Sequence, residues 1–185
     1  LAVPYIITAA PFWSVSDDDS ETATRGWKRF LGINYAVGFL ATQPCSAGYL
    51  REQIEFRAVN FMLHGKLLDY TDKHGKDLRI WSEALGMRRN LYVYLPPGFD
   101  PSRRYPVIFL LHGFAQDESA LFYLLPKLDR DMESGRFPST ILVAPDGNLP
   151  CRDWVIRRGS FYINSNAGRY EDFLMQDVRG FLEKN

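Results

Sequence analysis

Cysteine is scarce in this chain. Cys45 and Cys151 are the only two among 185 residues, and they form no C-x-x-C pair. A zinc cluster or a thioredoxin-like redox motif is therefore unsupported. Two separate thiols and one disulfide in an exported protein are both open readings. Net charge is missing too, since 22 Lys and Arg offset 22 Asp and Glu. Without a basic stripe, a nucleic-acid partner is not expected. Internal repeats and low-complexity tracts are absent, and nothing in the residue pattern calls for a metal or a cofactor. The acidic run Asp17-Asp18-Asp19 with Glu21 has the character of a solvated loop.

What is present suits a folded enzyme-sized domain. The chain is 46% hydrophobic and 15% aromatic, which fills a sizeable core or lines a substrate groove. It opens on Leu1, not Met, as a processed product or a piece of a longer reading frame does. Residues 30–50 carry no charge and follow the basic cluster Arg25, Lys28 and Arg29. That pattern resembles an export signal or a membrane-proximal segment, although its apolar centre, Leu31 to Ala41, is short for a span. The alternative is a partly buried helix or loop. Residues 1–60 are accordingly expected to be an N-terminal extension, with export to the cell exterior or periplasm one consequence. Gln53 to Leu63 reads as a helix with Ile54, Val59, Met62 and Leu63 as its apolar members.

From about Gly65 the texture becomes that of alternating strands and helices, and residues 61–185 are expected to form an α/β domain. Lys66–Thr71 and Leu78–Ser82 are short strands. Asn90–Leu95 alternates Leu91, Val93 and Leu95 with Tyr92 and Tyr94, the period of a strand. The run VIFLL, residues 107–111, is continuously apolar, as a central parallel strand covered on both faces must be. Ser119–Met132 has helical spacing through Leu121, Leu124, Leu125 and Leu128, with Pro126 expected to end or kink it. Thr140–Ala144 is another strand, and Arg169–Glu183 an amphipathic helix. The sheet should be mixed, antiparallel at first and mostly parallel overall.

Ligands of open α/β sheets bind beyond the carboxyl ends of the strands. His112-Gly113-Phe114-Ala115 leaves such an end, and a glycine turn there can aim backbone N–H groups at a developing oxyanion. On the residues alone, a simple connection with a satisfied buried histidine is an equal reading.

The run NLYVYLPPGFDPSRRYPVIFLLHGFAQDE, followed by APDGN and GSFYINSNAGRYEDFLMQDV, resembles the putative-esterase family of α/β-hydrolases. Feruloyl esterases, esterase D and the mycolyltransferases are among its members. The resemblance covers residues 78 to 185 and corresponds to the N-terminal half of the hydrolase fold. It implies acyl transfer by a serine, a histidine and an acidic residue on a small-molecule or carbohydrate-linked ester. The Phe114 N–H, presented by Gly113, would be one oxyanion donor. His112 would shape the loop, not act as base. Asp117 and Glu118 would cap the next helix, Asp146 would be a turn residue, and Asn164 and Ser165 would border the substrate.

The departure from the family is an absence. Its nucleophile elbow requires G-x-S-x-G, and no such pentapeptide occurs in the chain. Ser160 and Ser165 both lack the flanking pattern. The expectation is a chain cut before the nucleophile strand, carrying the oxyanion loop without the triad and inactive alone. Two other readings remain: a non-catalytic hydrolase-like binding module, and acyl transfer to a sugar hydroxyl.

Overall fold

The computed structural model describes residues 5–8, 46–113, 116–150 and 159–185. In chain order the elements are strand β1 (Tyr5–Thr8), helix α1 (Ser46–Met62), and strands β2 (Lys66–Tyr70), β3 (Ile80–Ser82), β4 (Met87–Arg89), β5 (Leu91–Leu95) and β6 (Val107–Leu111). A 3₁₀ turn at Glu118–Ala120 leads into α2 (Leu121–Glu133), followed by β7 (Ile141–Pro145) and the small ribbon β8 (Asn164–Ser165) and β9 (Gly168–Arg169). The chain closes on a helical segment made of α3 (Tyr170–Asp172), a π-helical stretch (Phe173–Val178) and α4 (Arg179–Lys184). The signal-like stretch lies mostly outside the described residues, and its end, from Ser46, falls within α1. Among the described residues no helix is long and apolar enough to cross a membrane.

Five strands form the main sheet in the order β1-β6-β7-β5-β2. β6 pairs in parallel with both β1 and β7, so the continuously apolar VIFLL run is indeed an interior parallel strand. β5 pairs antiparallel with β7 and with β2, and the β3–β4 and β8–β9 ribbons are antiparallel as well. The sheet is thus mixed, but the expectation that it is mostly parallel does not hold. A parallel pair needs a long crossover, usually a helix. Among the described residues no helix lies between β2 and β6, and β2 and β5 pair antiparallel. β1 was not anticipated from the sequence.

Both faces of the sheet are covered, which gives three layers. The aliphatic set of β5, Leu91 and Val93, packs with Phe109, Val143, Tyr170, Phe173 and Val178. Its aromatic set, Tyr92 and Tyr94, packs on the other face with Val59, Leu121, Leu125 and Met132. The alternation in β5 therefore separates two cores, not core from solvent. α2 runs on through Pro126 to Glu133. Proline removes one backbone donor, but Leu121 and Leu125 before it and Asp129 and Met132 after it are all buried, so packing holds the halves together. Leu124 is exposed, as are Ile54 and Met62 on α1, so these do not belong to the apolar faces drawn for them.

Candidate active site

β6 and β7 are neighbours and parallel, so their carboxyl ends emerge at the same edge of the sheet. β6 hands the chain to His112 and Gly113, and β7 hands it to the turn Asp146-Gly147-Asn148. The ring of His112 is the bolt between them. Its Nε2 accepts the N–H of Gly147 at 2.9 Å, and its Nδ1 lies 3.1 Å from the carbonyl of Gly113. Because the Gly147 N–H can only donate, Nε2 holds a lone pair and the proton resides on Nδ1, donated to Gly113. Both nitrogens are spent on the backbone, leaving none to exchange a proton with a substrate. Tyr162 packs edge-on against the ring at 5.6 Å.

The β7 turn is fixed by a residue that the sequence reading missed. Arg89, at the end of β4, is almost fully buried, and its Nη2 donates to the Asp146 carbonyl at 2.8 Å, the Asp146 carboxylate at 2.9 Å and the Asn148 carbonyl at 2.6 Å. The guanidinium also lies over the ring of Tyr170, whose hydroxyl donates to the Asn148 carbonyl. Asp146 is more than a turn residue: its second oxygen accepts from the N–H and the side-chain amide of Asn148. Burial opposes charge on Asp146, yet the Arg89 guanidinium and the Asn148 N–H hold its pKa below the usual carboxylate value. A lone arginine between two short strands gave no periodic signal by which to single it out.

Gln116 closes the loop from the other side. Its Oε1 accepts the Gly113 N–H at 2.9 Å, its own N–H donates to the Gly113 carbonyl, and its carbonyl accepts from the Asn148 amide. Gly113 does not adopt a left-handed conformation, and a Cβ placed there would meet only the Gln116 side chain, at 3.1 Å. Phe114 lies outside the described residues.

A small cavity of about 60 Å³ opens at this edge, lined by His112, Gly113, Gly147, Gly159, Ser160, Phe161 and Tyr162. Ser160 is buried, its hydroxyl donating to the Gly147 carbonyl at 2.7 Å and accepting from the Tyr162 N–H at 3.1 Å. Asn164 and Ser165 sit apart from the lining, exposed in β8. The Asn164 Oδ1 accepts from the Asp172 N–H at the start of the final helix, and the Ser165 hydroxyl accepts from Ala167. Asp117 caps the 3₁₀ turn, accepting from Ser119, but Glu118 is no cap; it is buried against Lys73. Among the described residues no acidic, histidine or cysteine cluster could hold a metal ion, and no serine is paired with a histidine base.

Residues 82–185 match the family described as Putative esterase. The chain belongs to that family. Among solved structures it is similar to a ferulic acid esterase, at 25% identity and a TM-score of 0.51 over 65% of this chain and 42% of that one. Among curated proteins, 64 residues are 34% identical to endo-1,4-beta-xylanase Y of Acetivibrio thermocellus, covering 32% of this chain and 6% of that protein. A stretch of 41 residues is 46% identical to a C(50) beta-cyclic carotenoids biosynthesis protein of Dietzia sp., covering 22% of this chain and 10% of that protein. The chain thus spans less than half the length of each of these relatives. The family match and the ferulic acid esterase likeness establish an esterase-like α/β-hydrolase relationship.

Proposed function

We propose that this chain is the oxyanion-stabilising part of a serine carboxylic-ester hydrolase, with the nucleophile supplied by sequence outside these 185 residues. The observation that carries the reading is the bolted edge. His112, Gln116, Asn148 and Arg89 fasten Gly113 to the β7 turn beside a small cavity at the carboxyl end of a parallel strand. Electrostatic stabilisation of an acyl-transfer intermediate needs donors that do not have to reorganise, and a single such donor is worth about 10²- to 10³-fold in kcat. On this reading the Phe114 N–H donates to the carbonyl oxygen as it gains charge, and His112 holds the loop without exchanging protons. A buried Ser160 with its hydroxyl committed to the backbone does not serve as nucleophile. The likeness to a ferulic acid esterase and to a xylanase supports a small-molecule or carbohydrate-linked ester as substrate, with water or a sugar hydroxyl as acceptor.

The test is the reading frame past Asn185, where a G-x-S-x-G turn after one more strand is expected; a protein that ends without one would remove the proposal and favour a non-catalytic binding module. The 185-residue chain alone should not hydrolyse p-nitrophenyl esters. Turnover that survives Ser160→Ala and Ser165→Ala in the same chain would show that the nucleophile had been sought in the wrong place.

A further inference from the structure

The final helical segment carries a carboxylate that the oxyanion reading does not use. Asp177, between buried Leu174 and buried Val178 in the π-helical stretch, turns its side chain to the β3–β4 ribbon. Its Oδ2 accepts the Ser82 hydroxyl at 2.5 Å and the Ala84 N–H at 3.1 Å. The same hydroxyl accepts the Leu85 N–H at 3.1 Å, and Ser82 is fully buried. One carboxylate oxygen therefore gathers the end of β3 and the turn that follows it. π-Helical turns are uncommon and recur at functional positions.

The ribbon needs such a hold. Only three residue pairs join its strands, Ile80 to Arg89, Trp81 to Arg88 and Ser82 to Met87. A two-stranded piece is marginally stable at best on its own. Its open end is anchored by Ile80 in the core and by Arg89, whose guanidinium lies 5.5 Å from the centre of the Tyr170 ring. Its turn end is anchored by Asp177. Tyr170 and Asp177 belong to the same helical segment, so that segment grips the ribbon at both ends. From Tyr170 to Asp177 a helix rises about 10 Å, and from Gly86 to Arg89 a strand advances about 10 Å, so the grips are equally spaced. With Asp177 removed, the ribbon would be held at one end and could pivot at Arg89, the residue that bonds the Asp146 and Asn148 carbonyls on either side of Gly147.

We propose that Asp177 is a positioning residue for the oxyanion loop. By fastening the ribbon to the final helix it keeps Arg89 on the β7 turn, and the β7 turn holds His112 and Gly113. The same helix leads to the strand on which the nucleophile is expected, so one carboxylate ties the two partners of acyl transfer together. The catalytic consequence rests on the esterase reading above; the mechanical coupling does not.

The test is amide hydrogen exchange of the 185-residue chain, read at Gly147, whose N–H is held by His112, and at Gly113, whose N–H is held by Gln116. Asp177→Ala should quicken exchange at both glycines by about tenfold, what one hydrogen bond to a charged group is worth. Ser82→Ala, a milder change that removes the same hydroxyl link, should act in the same direction. Asp177→Asn, whose amide oxygen can still accept both donors, should restore most of the protection. In an Arg89→Met background Asp177→Ala should add nothing further at Gly147 or Gly113, although it still frees the Ala84 amide. Two results would overturn the inference. One is wild-type protection of Gly147 and Gly113 while Ala84 exchanges freely, the mark of a merely local contact. The other is an Asp177→Ala effect undiminished in the Arg89→Met background. Either leaves the esterase reading intact, because that reading stands or falls on the G-x-S-x-G turn past Asn185. A reading frame without that turn would remove the catalytic consequence and leave the exchange coupling as it is.

Discussion

Lys73 offers the sharpest test of the physical account, because it is a buried cation on a turn that looks solvated in sequence. Its Nζ lies 2.7 Å from Glu118 Oε1 and 3.1 Å from Asp117 Oδ2. The Glu118 side chain is 1% exposed and that of Lys73 22%. Burial pushes the Glu118 pKa above the ordinary carboxylate value, with the nearby Asp146 and Asp117 charges adding to the rise and Lys73 restraining it. Burial also opposes charge on Lys73, but Glu118 and Asp117 outweigh it and raise its pKa. Replacing Lys73 by Met leaves the Glu118 carboxylate buried without its cation, a loss of roughly 3–5 kcal/mol for fully buried pairs. The partial exposure of Lys73 and the ability of Glu118 to take up a proton place this case near about 3 kcal/mol at neutral pH. The sign with pH follows. A carboxyl whose folded pKa lies above its unfolded one costs stability as pH rises through the folded value, and losing Lys73 raises that value further. The deficit of Lys73→Met should therefore be small near about pH 5 and largest near about pH 8. Glu118→Gln introduced alongside should recover most of it. Urea unfolding of the wild type, both single variants and the double variant at the two pH values measures the coupling. A Lys73→Met deficit that is equal at both, or not reduced by Glu118→Gln, would refute the reasoning.

Arg89→Met should cost about 3–5 kcal/mol, since it strips the buried Asp146 carboxylate and the Asn148 carbonyl of one shared donor, and chemical denaturation reads it directly. Gly147→Ala drives a Cβ to within 2.3 Å of the Tyr162 ring and should lose about 1–3 kcal/mol in the wild type, but little further stability in a Tyr162→Ala background, where the ring it meets is gone. His64 is half-exposed, with Nδ1 2.8 Å from the buried Asp129 carboxylate, which also accepts from the Gly65 N–H and the Tyr94 hydroxyl. The hydrogen bond to Asp129 raises the His64 pKa against a smaller opposing effect of burial, so its NMR titration midpoint should lie above 6.5. The stability that this pair contributes is full below the unfolded histidine pKa and is lost as pH rises through the folded one. His64→Ala should flatten that part of the stability profile.

The elements that could be read from the sequence are those whose burial is written into local pattern. VIFLL is apolar at every position because β1 and β7 flank it and helices cover both faces. β5 was legible for a different reason, its period of two, although the sequence did not show that both of its faces are buried. What escaped was set by partners distant in the chain. β1 is four residues of ordinary apolar character whose strand state depends on meeting Ile108 to Leu111. The parallel and antiparallel balance depends on which strands become neighbours, and β7 inserting between β6 and β5 is a tertiary event. Local preference at Pro126 points to an end or a kink in α2, and it is the buried residues on either side that carry the helix on to Glu133.

The candidate site divides along the same line. The glycine and histidine after β6 were visible because a strand end is where an α/β sheet presents chemistry. The groups that make this loop a rigid one were not. Arg89 comes from a two-stranded ribbon outside the main sheet, Gln116 bonds across its own turn, and Asn148 bonds back to it across 32 residues. Each is a single polar residue with no spacing rule to mark it, and each acts largely through backbone carbonyls or N–H groups that the sequence does not display. Rigidity here comes from convergence: two strand ends, a ribbon and a loop deliver donors to Gly113, Gly147 and Asn148. Removing any one donor loosens the neighbouring bolts as well. Disturbing Arg89, remote from the cavity lining, should therefore move the Gly113 amide resonance as surely as disturbing Gln116, which touches it.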